Sequence, residues 1–520
     1  MADKPNRKIY EEIRRDLVRT AIKQPLLTMI LEAKDTPGDE AKPIPVIIEA
    51  NDDYYAGKEQ AVEAVRELVK ASAGVELPSI GSDQNPYYKT SLTPQQILQI
   101  VDLDDFAVGQ RQAEALDKEE KRRAENPTQG AATPPTQVAR YLAIRRIWYN
   151  HPINPLIDKS VSTVKADAAQ RAFLAEGSDI VWAVIDSGID GKHGHFATKK
   201  TLDVTLPVQH CDFTIPGDDR GRDSALVDNF GHGSHVAGII AGAYISSSDP
   251  LKPVPKAKAT RTKLGEGEQV EPFEEELSQI AGMAPSCKLV SLKVLDDNGN
   301  GDVSNIIAAI DRIQTINDFG RSIKIHGVNL SVGYEFDPLW FACGQSPVCV
   351  EVDRLVRSGV VVVAAAGNTG YGTLSANQRA TGAGFMLTIN DPGNAELAIT
   401  VGSTHRDSPH TYGVSYFSSK GPTGDGRMKP DLVAPGERIL SCCSSMKSSA
   451  TNVYVEDSGT SMAAPHVCGV IAAFLSIRRE YIGNPAKVKE LFLSTATDLG
   501  RNAYFQGRGL IDLMRAIQSI

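Results

Sequence analysis

Ile180–Asp190 reads IVWAVIDSGID: six apolar residues in a row, then an acid, a hydroxyl residue and a glycine. An unbroken apolar run of this length, closed by turn formers, predicts a strand buried on both faces. Runs of the same kind recur at Lys288–Val294, Ile325–Leu330, Val360–Ala366 and Leu397–Val401, and helical patterns separate several of them, among them Val303–Ile313 and Val348–Arg357. Buried strands alternating with helices predict an α/β fold, a doubly wound, mostly parallel sheet with helices on both faces. In such a sheet the functional groups gather beyond the carboxyl ends of the strands. Asp186 stands at such an end, although a lone acid there is more often a turn former.

The chain has 520 residues, 41% apolar and 23% charged, with a formal net charge of −9. That length suits a large core plus a second module. The balance is that of a globular protein and argues against a nucleic-acid partner, which would call for a basic face. Met1 opens a polar, charged run with no apolar block and cleavage site behind it. No stretch approaches the roughly 20 uninterrupted apolar residues of a membrane span. The expectation is a cytoplasmic chain with no membrane partner. Seven scattered cysteines without a metal-type pair suit a reducing compartment, with buried or free thiols. Cys343 and Cys349 are near enough in sequence to bridge.

Two further segments carry chemistry. His232 lies in Gly231–Gly238 (GHGSHVAG), and Ser461 in Gly459–His466 (GTSMAAPH), each opening an apolar helical run. Alone, the first resembles a His-x-x-His metal pair but lacks the glutamate of HExxH, and the second is an ordinary helix cap. With Asp186 they make a nucleophile, a base and a carboxylate that fixes the base's tautomer, in the order Asp, His, Ser. A serine at a helix start has backbone N–H groups aimed at a developing oxyanion. Asn368, just past Val363–Gly367 (VAAAG), suits the second oxyanion donor.

VIDSGID, GHGSHVAGI, VVVAAAGN and GTSMAAPHVCGV resemble, in order, the four signature blocks of subtilisin-like serine proteases. GMAP (Gly282–Pro285), VNLSVG (Val328–Gly333), KPDLVAPG (Lys429–Gly436) and GRGLIDL (Gly507–Leu513) add to the likeness over residues 165–520. The resemblance implies a serine endopeptidase acting on polypeptides through an acyl-enzyme, with Asp186 as orienter, His232 as base, Ser461 as nucleophile and Asn368 as oxyanion donor. It also implies that Gly299, Asn300 and Gly301 clamp the substrate as a strand against Ser331, Val332 and Gly333. Ala365, Ala366 and Gly367 would wall a pocket with room for a sizeable apolar side chain. No cofactor is required. Calcium binding is common in such relatives, but the usual site is altered: His195 stands where many have an aspartate, and a long insertion near 243–280 replaces the short loop after Gly242. The insertion joins a lysine-rich stretch, PLKPVPKAKATRTK, to an acidic one, GEGEQVEPFEEEL, and reads as a solvated loop in preference to a regulatory element.

The N-terminal part, residues 1–165, is expected to be a small α+β domain ahead of the catalytic domain at 166–520. Ile9, Ile13 and Leu17 have helical spacing, Pro43–Glu49 reads as a strand, Val62, Val65 and Val69 mark a helix, and Ser91-Leu92-Thr93-Pro94 starts another. A charged, proline-rich insertion near 104–138 contains an exposed helix (Arg111–Glu125) and a linker (126–137), and Ala139–Tyr149 returns to strand character. This layout resembles a subtilisin prosegment, which templates folding and blocks the cleft, with cleavage between Tyr149 and Ala166. A permanent accessory domain is the alternative. Two other readings of the whole chain stay open: a scaffold with a silent protease fold, and a peptide ligase or cyclase in which an amine intercepts the acyl-enzyme.

Overall fold

A computed structural model describes residues 21–22, 26–27, 29–30, 43–75, 77, 87–125, 138–149, 159–215, 221, 223–247, 253–264, 270–335, 343–376, 379–444 and 453–520. The helix expected around Ile9–Leu17, the linker at 126–137 and much of the proposed cleavage region lie outside the described residues. The chain divides into two units, Met1–Asn154 and Pro155–Ile520.

The first unit builds a three-stranded antiparallel sheet in the order β2-β1-β3 from β1 (Ile44–Ala50), β2 (Tyr87–Leu92) and β3 (Ile144–Tyr149). Helices α1 (Lys58–Ala73), α2 (Pro94–Phe106) and α3 (Val108–Glu125) complete it. Thr93 caps α2 through a capping box: its hydroxyl accepts Gln96 N while Gln96 Oε1 accepts Thr93 N. Val62, Val65 and Val69 of α1 join Ile97 and Ile100 of α2 in a core under β1 residues Val46 and Ile48. The strand expected over Ala139–Tyr149 starts late. Val138–Tyr141 forms a 3₁₀ turn, because the N–H groups of Ala143 and Ile144 bind the buried Asp104 carboxylate, itself paired with Arg111.

The second unit is organised by a seven-stranded sheet whose pairings are all parallel. Its strands are β4 (Val181–Asp186), β5 (Cys211–Asp212), β8 (Lys288–Lys293), β9 (Gly327–Leu330), β10 (Val361–Ala365), β11 (Ile399–His405) and β12 (Leu432–Glu437), ordered β12-β11-β10-β9-β4-β8-β5. Alternate residues enter two different cores. Trp182, Val184, Val361 and Val363 meet α4 (His232–Ile240) and α7 (Thr460–Ile477) on one face. Ala183, Ile185, Val362 and Ala364 meet α5 (Val303–Ile316) and α6 (Pro347–Arg357) on the other. This is the doubly wound α/β sheet, and burial on both faces explains why its strands carry no polar alternation. Helix α7 is long and apolar enough to cross a membrane but runs through the core with 83% of its length buried.

The insertion after α4 is not a solvated loop. It folds as an antiparallel hairpin of β6 (Ala257–Leu264) and β7 (Val270–Leu277). That hairpin joins β13 (Ile439–Cys442) and β14 (Val453–Asp457) in a second sheet, ordered β13-β14-β6-β7. Its charges conceal a strand pattern of period 2 in which the small Ala257 and Ala259 face the core. Cys343 and Cys349 are separate thiols and do not bridge.

Candidate active site

The parallel sheet brings the singled-out residues to its carboxyl edge. Asp186 ends β4, and its carbonyl accepts Val294 N (2.8 Å) and Leu295 N (3.3 Å), which anchors the strand end to the chain leaving β8. His232 begins α4. Gly233 lets that helix start lie against the turn after Asp186, since a Cβ there would sit 2.1 Å from the Gly188 carbonyl. His232 Nδ1 lies 2.8 and 3.0 Å from the two Asp186 oxygens. The Asp186 side chain is 1% exposed and that of His232 19%. Burial alone would push the His232 pKa down. The charge and hydrogen bond of Asp186, helped by the charges of Asp457 and Asp228, outweigh it and raise the imidazole above its usual range.

A second buried carboxylate holds this arrangement. Asp228 accepts Ser187 Oγ (2.9 Å) and Gly231 N (2.7 Å) on one oxygen, and Ser234 N (2.8 Å) and Ser234 Oγ (2.6 Å) on the other. Ser187 Oγ in turn accepts Gly233 N at 2.9 Å. One carboxylate therefore ties the turn after Asp186 to the first turn of the His232 helix.

Ser461 opens α7. Pro465 has no N–H to offer the Ser461 carbonyl, so that carbonyl accepts Ser331 Oγ at 3.0 Å instead. Asn329 Nδ2 donates to Ser331 Oγ from beneath, at 2.9 Å. The Ser461 hydroxyl donates to the Ser331 carbonyl at 3.1 Å, its resting partner in place of His232. The side chain of Asn368 is oriented by its oxygen, which accepts both Thr460 N (2.9 Å) and Thr460 Oγ1 (3.0 Å). Its Nδ2 lies on the side of Gly459, two residues before Ser461.

A cleft of about 570 Å³ gathers Gly299, Asn300 and Gly301 on one wall, Ser331, Val332 and Gly333 on the other, and His232 between, with Phe230 and Tyr334 at its margins. Ala365–Gly367 lie apart from that cleft but beside Ser461: Gly367 N donates to Thr460 Oγ1 at 3.1 Å. Behind them sits Asn390, whose N–H donates to Ala366 O at 2.9 Å and whose amide a Cβ on Gly367 would strike at 2.6 Å.

Sequence reasoning missed Asp228, Asn329, Asn390 and the Ser331 contacts. Asp228 stands four residues before His232 and carries no signature of its own. Asn329 interrupts an apolar strand, the one signal that was available.

At the altered calcium position, His195 is fully buried, with Nδ1 3.1 Å from Tyr454 Oη and Nε2 3.2 Å from Gly238 O. Burial, with the neighbouring His193, pushes its pKa down to about 3. A neutral ring with both nitrogens engaged does not fit a hard cation that takes oxygen ligands. Among the described residues no group of three or more His, Cys, Asp or Glu side chains is placed to hold a metal.

The arrangement can polarise a hydroxyl, take up its proton and surround a developing oxyanion with donors. Residues 177–509 match the model of the subtilase family. The chain is 29% identical over 368 residues to subtilisin E of Bacillus subtilis, covering 71% of this chain and 73% of that protein. It is 30% identical over 358 residues to a subtilisin of Bacillus pumilus, covering 69% and 98%. It is also 28% identical over 370 residues to serine protease AprX of Bacillus subtilis, covering 68% and 70%.

Proposed function

The chain belongs to the subtilase family and is a serine protease acting on polypeptides, and from that premise we propose that Asp186, His232 and Ser461 are its catalytic triad and Asn368 its oxyanion donor. The observation that carries the assignment is the pairing of His232 Nδ1 with the buried Asp186 carboxylate at 2.8 Å. It makes Nδ1 the protonated nitrogen and leaves the Nε2 lone pair as the base. Rotation about the Ser461 Cα–Cβ bond exchanges the Ser331 carbonyl for His232 Nε2 as acceptor. Nε2 takes the hydroxyl proton as Oγ bonds to the scissile carbonyl carbon. The oxyanion is met by Asn368 Nδ2 and by backbone N–H at the start of α7. His232 then gives its proton to the leaving amine as the C–N bond breaks, and water releases the acyl group by the reverse sequence.

Gly299–Gly301 and Ser331–Gly333 would hold the substrate main chain between them, which gives affinity with little sequence selectivity. Ala365–Gly367 would line the pocket for the residue whose carbonyl is attacked. These groups supply the whole of acyl transfer, so the reading requires no cofactor. Seven scattered cysteines without a metal-type pair favour a reducing compartment, the cytoplasm. Residues 1–165 would act as folding template and intramolecular inhibitor. Their own core supports an independently folded module, and a sheet paired over long sequence separations folds slowly enough to benefit from a template.

The test is labelling with a serine-directed fluorophosphonate, with intact-mass measurement of the same samples. Labelling is expected in the natural chain after N-terminal processing and absent in Ser461→Ala. Failure of the natural chain to label, even after removal of residues 1–165, would sink the triad assignment. Full activity with the N-terminal unit still attached would refute latency alone.

A further inference from the structure

The inserted hairpin β6–β7 has no part in the chemistry above, yet it lies along the strand that feeds the nucleophile. β14 leads from Asp457 through Ser458–Thr460 into Ser461. Without the insertion, β14 would be the edge strand of a two-stranded ribbon with β13. β6 pairs with β14 in parallel, Tyr454 facing Ala259 and Val455 facing Thr260, and makes β14 an interior strand.

A row of charges crosses this sheet. Glu275 on β7 accepts Arg261 Nε at 2.7 Å, and Arg261 Nη1 reaches on to Glu456 Oε1 of β14 at 3.2 Å. From the other side Glu456 meets Arg406 Nη1 at 2.5 Å and Arg438 Nε at 3.4 Å. Thr262 completes the set, donating both its N–H (2.9 Å) and its hydroxyl (3.0 Å) to Glu456 Oε2. The Glu456 side chain is 3% exposed and that of Arg261 13%. Burial alone would raise the carboxyl's pKa; the Thr262 and Arg406 bonds outweigh it and hold Glu456 below the usual range. The same anchorage continues toward the nucleophile: Arg438 N donates to Ser458 Oγ and Gly459 N to Gly436 O, both at 2.8 Å.

We propose that Glu456 is a positioning residue, and that the inserted hairpin, docked on it through Arg261 and Thr262, sets the placement of Ser461. The inference rests on the role proposed above for Ser461. Misplacement of a reacting group by an ångström can lower a rate about 100-fold, so a support five residues upstream of the nucleophile has leverage on kcat without touching substrate.

Arg261→Met removes one of the hairpin's two side-chain contacts to Glu456 while leaving Glu456 paired with Arg406 and Arg438, and Glu456→Gln weakens the shared anchor. With active-site concentration fixed by fluorophosphonate titration, Arg261→Met is expected to lower kcat about 10-fold on a short peptide. KM should stay within about twofold, and Glu456→Gln should cost more. Arg261→Lys should restore only part, because a single ammonium cannot bridge Glu275 and Glu456 as the guanidinium fork does. Thr262→Val, a milder change, should lower kcat about 2-fold and serves if either charge variant fails to fold. Wild-type labelling at Ser461 separates this test from that of the triad. An unchanged kcat in folded Arg261→Met or Thr262→Val, or a change confined to KM, overturns the inference.

Discussion

Replacing Asp228 by asparagine changes one atom in the carboxylate that joins the Asp186 turn to the His232 helix. Each carboxylate oxygen accepts two donors, one hydroxyl and one backbone N–H. An asparagine keeps one acceptor oxygen and turns an NH₂ toward the other pair. The hydroxyl of that pair can rotate to accept, but Gly231 N or Ser234 N is then left buried and unpaired, at about 1–3 kcal/mol. The two bonds retained weaken as the acceptor becomes neutral, by about 0.5–1 kcal/mol each. Working against this, burial outweighs the hydrogen bonds and raises the Asp228 pKa, so a neutral side chain recovers part of the desolvation cost. The net expectation is a loss of about 2 kcal/mol. If Gly231 is freed, the peptide preceding His232 loosens and kcat/KM should fall about 10–100-fold. Loss of a nearby negative charge also lowers the His232 pKa, so the acid limb of kcat/KM should move to lower pH. The assays are urea unfolding and a pH–rate profile at titrated enzyme concentration. Stability within about 0.5 kcal/mol of wild type together with unchanged kcat/KM would show that Asp228 does not hold the site together.

Asn368→Asp keeps the oxygen that Thr460 binds but removes the Nδ2 donor, so kcat should fall by about 10²–10³ with KM little altered; steady-state kinetics with equal kcat would remove Asn368 from the oxyanion site. Burial depresses the pKa of five histidines, His195 to about 3, His235 and His466 to about 4, and His193 and His326 in the same direction. The unfolded chain takes up protons near pH 6.5 where these native rings do not, so stability falls as pH drops from about 6.5 toward 4, by up to ~1.4 kcal/mol per pH unit for each. His232, raised rather than depressed, has the opposite sign, but its contribution is already complete below about pH 6.5 and does not offset this fall. A denaturation midpoint that stays flat between pH 7 and 4.5 would contradict this account.

Much of the fold was legible because its strands are buried on both faces. IVWAVI at 180–185 and VVVAA at 361–365 need no partner information to be read as interior strands, and proline after a hydroxyl residue marked the start of α2 at Thr93-Pro94. The insertion hides its strands because its core face is made of alanines. Lys258, Arg261, Glu274 and Glu275 dominate the composition, while Ala257 and Ala259 carry little hydrophobic signal, and a strand that depends on β14 for pairing cannot be recognised locally. Tyr141 departs from the strand its sequence predicts for a similar reason: the acid that claims the nearby N–H groups, Asp104, lies on a distant helix.

Sequence by itself determined the residue types of the site and their order, because each sits in a local motif at a strand end or helix start whose conformation is set by its neighbours. Only the tertiary structure decided how those motifs are held. Asp228 joins two of them, Pro465 frees the Ser461 carbonyl for Ser331, and Glu456 ties the inserted hairpin to the strand before Ser461. Each of these supports is a buried polar or charged group satisfied by partners distant in the chain. The energy of such a group depends on where those partners are brought in space, so nothing in its own neighbourhood of the sequence announces it.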